Sequence, residues 1–356
     1  MADERIGFGI AGCGVIAPWH AYGITHSGLT ELRAVFDVVF DRAKGLAADV
    51  ASKYGVPEPR VCRTLDELLE DSSVSALSVC TPSGLHAEIG IAAAGAGKHV
   101  LCEKPIDITL EHIDALVRAC QDAGVKLGCI FQRRTSPLWQ GIRRAVREGA
   151  LGKMLLGDAY LKYYRSQAYY DSGDWRGTWA LDGGGCLMNQ GVHCIDQVQW
   201  IMGPVRSLYA QTDHLARSIE VEDVACAVLR FESGAMGVLE GTTGIAHPGV
   251  DHRLEFHGET GTIRVFEESI VEWNVPGVDQ GEFIPRGTAG QEAATADPTA
   301  IGMEGHLQQI RDMAEAIRDD RDPMVTGPEA RKAVEIILAV YRSSQQGQPV
   351  SFPLEQ

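Results

Sequence analysis

Positive charge is scarce in this chain: 32 lysines and arginines stand against 48 aspartates and glutamates, a formal net charge of −16. That balance argues against nucleic acid or an anionic membrane surface as the partner, because both are held chiefly by cationic side chains. No stretch reaches the roughly 18 to 20 apolar residues that a bilayer-spanning helix needs. The opening MADERIGFGIAG is charged and turns at once into a strand-like run, without the pattern of a secretory leader. Cys-x-x-Cys pairs are also missing. Nine cysteines, an odd number, argue against a disulfide framework and fit a reducing cytoplasm, with the thiols packed as small hydrophobes. A metal held by Cys186, His193 and Cys194 matches no zinc spacing, so no metal is expected.

What is present points to two domains, as 356 residues and 45% apolar content suggest. RIGFGIA (5–11) reads as a strand and GCGVIAPWHA follows it. Two dinucleotide registers fit, Gly7-x-Gly9-x-x-Gly12 and Gly12-x-Gly14-x-x-Ala17; only the second lies after the strand and opens a helix. Gly12 then serves the tight turn, Gly14 lets backbone approach a pyrophosphate, and Val15 and Ile16 complete the loop beneath the helix N-terminus. LRAVFDV (32–38) is the second strand, ending in Asp37, whose carboxylate would accept adenosine-ribose hydroxyls and repel a 2′-phosphate. Val38, Val39 and Phe40 follow in place of an arginine, which favours NAD over NADP; Asp41 reads as the start of the next helix. TLDELLED carries a Thr-x-x-Glu capping box. VSALSVCTPSGLH, then helix, then VLCEKP continue a β-α-β alternation that predicts a right-handed parallel sheet. TPSGLH and CEKP fall at strand ends, where ligands bind in such sheets, placing Thr81, Pro82, His86, Glu103 and Lys104 near the cofactor. Pro105 restricts Lys104 to extended geometry, so the side chain is aimed.

With these segments in view, the chain resembles the glucose–fructose oxidoreductase / inositol dehydrogenase (Gfo/Idh/MocA) family over nearly all its length. The likeness rests on GIAGCGVIAPWH, CTPSGLHAE, CEKP, FQRRTSP (131–137), GGGCLMNQGVHCIDQVQWIMGP, HLQQIRDMAEAI and VTGPEARKAVEIILAVYRSS. It implies an NAD-binding Rossmann domain, residues 1–126, and a substrate-binding and oligomerisation α+β domain, residues 127–356, with a large open, mostly antiparallel sheet. It also implies an oxidoreductase acting on a carbohydrate or polyol, as a homodimer or homotetramer. The later sequence agrees: alternating, turn-bounded strands appear beyond 150, with ESGA and GETGT as hairpin turns. Residues 274 to 302 read as a long surface loop. GGGCLMNQGVHCID is then a close-approach turn opening a helix that Gly203-Pro204 ends.

The resemblance makes Lys104 and His193 the catalytic residues. An imidazole ordinarily titrates near neutrality and needs little adjustment to act as base. A lysine would have to fall about three units, roughly 4 kcal/mol; His193 is therefore the easier proton acceptor, with the reverse assignment left open. Asn189 stands where many family members carry Asp, so an Asp–His dyad is unavailable; variants of the form LxNQGxHxID tilt the substrate toward a sugar ring, particularly its 3-hydroxyl. Gln132, Arg134, Tyr163, Arg165, Tyr169, Trp175 and Asn189 are the candidate substrate contacts, Gln132 also facing the cofactor. Alternatives are an inositol dehydrogenase, a glycoside-cleaving enzyme that uses NAD transiently, and a non-catalytic sensor of NAD or sugar.

Overall fold

Alternation of buried strands with amphipathic helices builds the first of two compact units in the computed structural model, which describes residues 5–245, 251–285 and 302–355. That unit comprises Met1–Gln132 with Met303–Arg331; the second comprises Arg133–Gly302 with Lys332–Gln356. In the first, β1 (Ile6–Ala11), α1 (Ala17–His26), β2 (Thr30–Phe36), α2 (Phe40–Tyr54), β3 (Arg60–Cys62), α3 (Leu65–Leu69), β4 (Ala76–Val79), α4 (His86–Gly95), β5 (His99–Cys102), α5 (Leu110–Asp122) and β6 (Leu127–Cys129) follow in turn. All strand pairs are parallel, in the order β3-β2-β1-β4-β5-β6. Covered on both faces, β1 and β4 are almost wholly buried, as their near-continuous apolar sequence requires. The strand order reverses between β1 and β4, which places the ligand end of the sheet at their carboxyl termini.

The first stretch of this unit ends at Gln132, where the sequence suggests residue 126. β6 pairs with β5, so the parallel sheet extends beyond it. The chain also returns: Ile310 and Met313 of a late helix, numbered α9 below (Glu304–Arg318), pack into the same apolar core as Phe8, Ile10, Ala17 and Ile24. Helical periodicity shows that such a segment has an apolar face, but not which core receives it.

The second unit contains α6 (Pro137–Arg147), β7 (Met154–Lys162), α7 (Gln167–Tyr170), α8 (Val192–Met202), β8 (Val205–Asp213), β9 (Val224–Phe231), β10 (Met236–Thr242), β11 (Asp251–Gly258), β12 (Thr262–Phe266) and β13 (Ser269–Asn274). After α9, α10 (Gly327–Gln346) and β14 (Val350–Ser351) close the chain. The eight-stranded sheet runs β13-β12-β11-β7-β10-β9-β8-β14 and is antiparallel apart from the β7–β10 pair. ESGA and GETGT join β9 to β10 and β11 to β12 as expected. β9 alternates buried and exposed residues, the mark of a sheet with one face on a core. Of the segment read as a surface loop, residues 286–301 lie outside the described residues.

Candidate active site

At the carboxyl end of β1 the backbone turns through Gly12, at φ +90°; a Cβ there would lie 2.7 Å from the Cys80 carbonyl and 2.8 Å from the Thr81 nitrogen. Only glycine allows this turn and this contact with the loop after β4. A Cβ on Gly14 would meet nothing within 4 Å, leaving an open approach to the backbone. α1 begins without a side-chain cap at Ile16 and without an acidic residue in its first turn. Its leading N–H groups therefore offer positive potential to an anion. Val15 is exposed and Ile16 half-buried on this loop.

Asp37, just beyond β2, is only 8% exposed. Its Oδ2 accepts the N–H of Cys13 at 2.7 Å and its Oδ1 accepts that of Val39 at 2.7 Å. The carboxylate is thus locked beside the glycine turn, with lone pairs left for ribose hydroxyls. Thr81 presents a buried hydroxyl that has no hydrogen-bond partner among the described residues, and Pro82 follows it. An uncapped helix start, a fixed carboxylate and an orphaned hydroxyl fit a dinucleotide: the turn would hold its pyrophosphate and Asp37 its adenosine ribose.

Of the remaining cofactor candidates, two are occupied within the protein. His86 points its Nδ1 at the Pro105 carbonyl (2.8 Å) and its Nε2 at the Thr81 carbonyl (2.9 Å), tying the loop after β4 to that after β5. Glu103 is buried, and its Oε1 accepts the Nε2–H of His20 at 2.9 Å and of His306 at 3.0 Å. Burial alone would raise this carboxyl; the two histidine hydrogen bonds more than offset that and hold it well below the ordinary range. Burial lowers the His20 imidazole from its ordinary value, against the pull of Glu103. The other Glu103 oxygen accepts the Lys104 N–H at 3.0 Å. Lys104 is half-buried and its peptide bond to Pro105 is cis. Gln132 is buried in the short turn Gln132–Thr135.

In the second unit the three-glycine turn is fixed from beneath. A Cβ on Gly185 would sit 1.7 Å from the Glu222 carbonyl oxygen, so the position admits no side chain. The Glu222 carboxylate accepts Gly185 N–H (2.8 Å), Leu187 N–H (2.9 Å) and the Tyr341 hydroxyl (3.0 Å). Burial pushes its carboxyl up to about 7, against the pull of those N–H donors. From this anchor a π-helical turn, Cys186–Gly191, leads into α8 and carries Asn189 just ahead of the half-buried His193. Asn189 donates to Asp182 Oδ1 at 3.0 Å, and Gln190 donates to the Tyr169 hydroxyl at 3.3 Å. Arg176 donates to the same hydroxyl at 2.6 Å, and its guanidinium lies over the rings of Tyr169 (4.4 Å) and Trp175 (4.5 Å). Arg165 lies 5.2 Å from the Tyr169 ring centroid. Asn189, Tyr169, Trp175 and Arg165 therefore belong to one polar and aromatic cluster.

Arg134 and Tyr163, the remaining expected substrate contacts, are both buried. Arg134 is 1% exposed, pairs through both Nε (2.8 Å) and Nη2 (2.5 Å) with Asp196, and lies 5.1 Å from the Trp200 ring centroid. Tyr163 is buried beside His252 and Arg133. Both fill the interior of the second unit. Cys194 accepts a hydrogen bond from Arg133 there, and Cys186 is buried against Glu222. Sequence reasoning passes over Asp182, Gln190 and Arg176, although each lies within or beside a motif already singled out. Glu222 carries no local signal; His20 and His306 lie inside GIAGCGVIAPWH and HLQQIRDMAEAI, but neither segment contains the carboxylate they meet.

Comparison with known proteins agrees with both halves. A family model described as an oxidoreductase family with an NAD-binding Rossmann fold matches residues 6–131, and the GFO/IDH/MocA C-terminal domain model matches residues 139–264. The chain is similar to the crystal structure of the WlbA dehydrogenase from Bordetella pertussis in complex with NADH and UDP-GlcNAcA. That match has a TM-score of 0.89 and 32% identity and covers 100% of both chains. It is 26% identical to myo-inositol 2-dehydrogenase of Thermotoga maritima, over 96% of this chain and 97% of that protein. With levoglucosan dehydrogenase of Pseudarthrobacter phenanthrenivorans it shares 28% identity over 64% of this chain and 63% of the relative.

Proposed function

Since the chain belongs to the Gfo/Idh/MocA oxidoreductase family, we propose that it oxidises a secondary ring hydroxyl, the 3-hydroxyl, of an acidic sugar carried on a nucleotide. The full-length likeness to a dehydrogenase holding NADH and UDP-GlcNAcA carries this reading. Two arginines over one tyrosine, in a chain of net charge −16, supply a local site for an anionic group on the substrate. NAD, when bound, accepts the hydride. The protein holds its pyrophosphate on the Gly12–Ile16 turn and its ribose on Asp37. Lys104 and His193 are the acid–base groups: one takes the hydroxyl proton as the carbon gives up its hydride, and the other hydrogen-bonds the developing carbonyl oxygen. Asn189, held by Asp182, orients ring hydroxyls.

No helix among the described residues is long and apolar enough to cross a membrane. Nine thiols, none of them in a disulfide, support a reducing cytoplasm as its location. A second copy of this chain is the partner we assign to the open sheet face. There Tyr209 is in register with Val228, and Leu156 with Met236, leaving exposed apolar side chains on the side away from the core.

The test is a panel of UDP-GlcNAcA, UDP-GlcNAc, glucosides and inositols with NAD and NADP, followed at the reduced-nicotinamide absorbance band. Turnover of UDP-GlcNAcA with NAD is expected, and loss of at least about a hundredfold in kcat for Lys104→Ala and His193→Ala. Reduction confined to neutral sugars or inositols would overturn the substrate class, and undiminished turnover in either variant would overturn that residue's role.

A further inference from the structure

Two histidines from opposite ends of the chain meet on one carboxylate oxygen. His20 lies on α1, His306 on α9, and both donate to Glu103 Oε1, while Oε2 of the same carboxylate accepts the Lys104 N–H. All three side chains are buried: His20 is 0% exposed, His306 1% and Glu103 5%. The helices can deliver both rings because they pack closely. A Cβ on Gly23, one turn after His20, would lie 2.5 Å from Ile310 and 3.2 Å from the Leu307 backbone. His20 is itself held at Nδ1 by the Ser78 hydroxyl at 3.1 Å. One turn after His306, Gln309 donates to the Cys129 carbonyl at 3.0 Å, so α9 is tied to the ends of both β5 and β6.

We propose that His306 is a positioning residue for Lys104, acting through Glu103. With His20 alone on Oε1, the carboxylate could still tilt about its last torsion, and the amide bound to Oε2 would move with it. Two donors on Oε1 fix the carboxylate plane, and that plane fixes the Lys104 amide. On the far side, the Pro105 carbonyl is held by His86. The backbone of Lys104 is thus clamped before and after the residue. A small angular error at the Cα of a long side chain becomes a large displacement at Nζ, which is how a remote contact governs turnover. The inference rests on the reading of Lys104 as a catalytic residue.

The experiment uses the whole protein without substrate, its lysines reductively methylated with 13C-formaldehyde. The methyl resonance missing in Lys104→Met is that of Lys104. We expect His306→Leu to shift or broaden this resonance and leave the other lysines unmoved, and His306→Gln, which keeps an N–H donor, to restore it. In turnover, His306→Leu should lower kcat about tenfold or more with the KM for NAD within about twofold, and the glutamine variant should recover most of it. Should the leucine variant fail to fold, His306→Asn, too short to reach the carboxylate, replaces it under the same criteria. An unmoved Lys104 resonance, or a stoichiometric transition metal in the purified protein ligated by His20, Glu103 and His306, overturns the proposal. A fully active Lys104→Met overturns the catalytic reading along with it; an inactive Lys104→Met beside an unimpaired His306→Leu overturns the positioning role alone.

Discussion

Asn189 gives its side-chain N–H to Asp182 Oδ1 at 3.0 Å, while the second oxygen of that carboxylate accepts the Gly177 N–H at 2.9 Å. Asp182 is buried, so an aspartate at 189 would set a second carboxylate against the first with no proton between them. Asn189→Asp is therefore expected to cost about 1–3 kcal/mol of stability and to lower kcat. The double variant Asp182→Asn/Asn189→Asp exchanges the two groups: the new amide can donate to the new carboxylate and still accept from the Gly177 N–H. Thermal denaturation of the four proteins in a double-mutant cycle checks this. Equal stability of Asn189→Asp and wild type would refute the pairing.

Asp37 binds two backbone N–H groups at the mouth of the nucleotide turn. Asp37→Ser removes the charge that opposes a 2′-phosphate and weakens the hold on the adenosine ribose. The KM for NAD should rise roughly tenfold, equivalent to about 1.4 kcal/mol, and the ratio of kcat/KM for NAD over NADP should fall. Steady-state kinetics with both cofactors is the measurement. An unchanged ratio would mean that discrimination lies elsewhere.

Burial pushes the Glu222 carboxyl up to about 7, against an ordinary value of 4.5. The folded state holds this proton more tightly, so its contribution to stability is complete below about pH 4.5 and is lost as pH rises through 7. The full difference is on the order of 3 kcal/mol. Between pH 5 and 8 the wild-type melting temperature should fall more steeply than that of Glu222→Gln, whose amide does not titrate. Parallel slopes would show that Glu222 is not the titrating group.

The legible parts of the site are those built by short stretches of chain. Gly12, Gly14 and Asp37 follow from a turn and the next strand; the hairpins at ESGA and GETGT follow from their turn residues. Arg134 reads as a substrate contact from its place in FQRRTSP. Its partner, Asp196, lies 62 residues away and takes up its guanidinium in the interior. Glu222 stands 37 residues from the Gly185 amide it holds, and His306 stands 203 residues from Glu103. A buried polar group must find a complementary one, but the sequence does not say from which distant segment it will come.

Because Ile310 and Met313 complete the core around β1 and α1, the nucleotide-binding unit is finished only after residues 303–331 have been translated. On the ribosome its sheet must wait, with part of its apolar surface unsealed, while most of the second unit is synthesised. For the same reason, cutting the chain after Gln132 would not release a self-sufficient module. Engineers seeking to graft this half elsewhere must bring residues 303–331 with it.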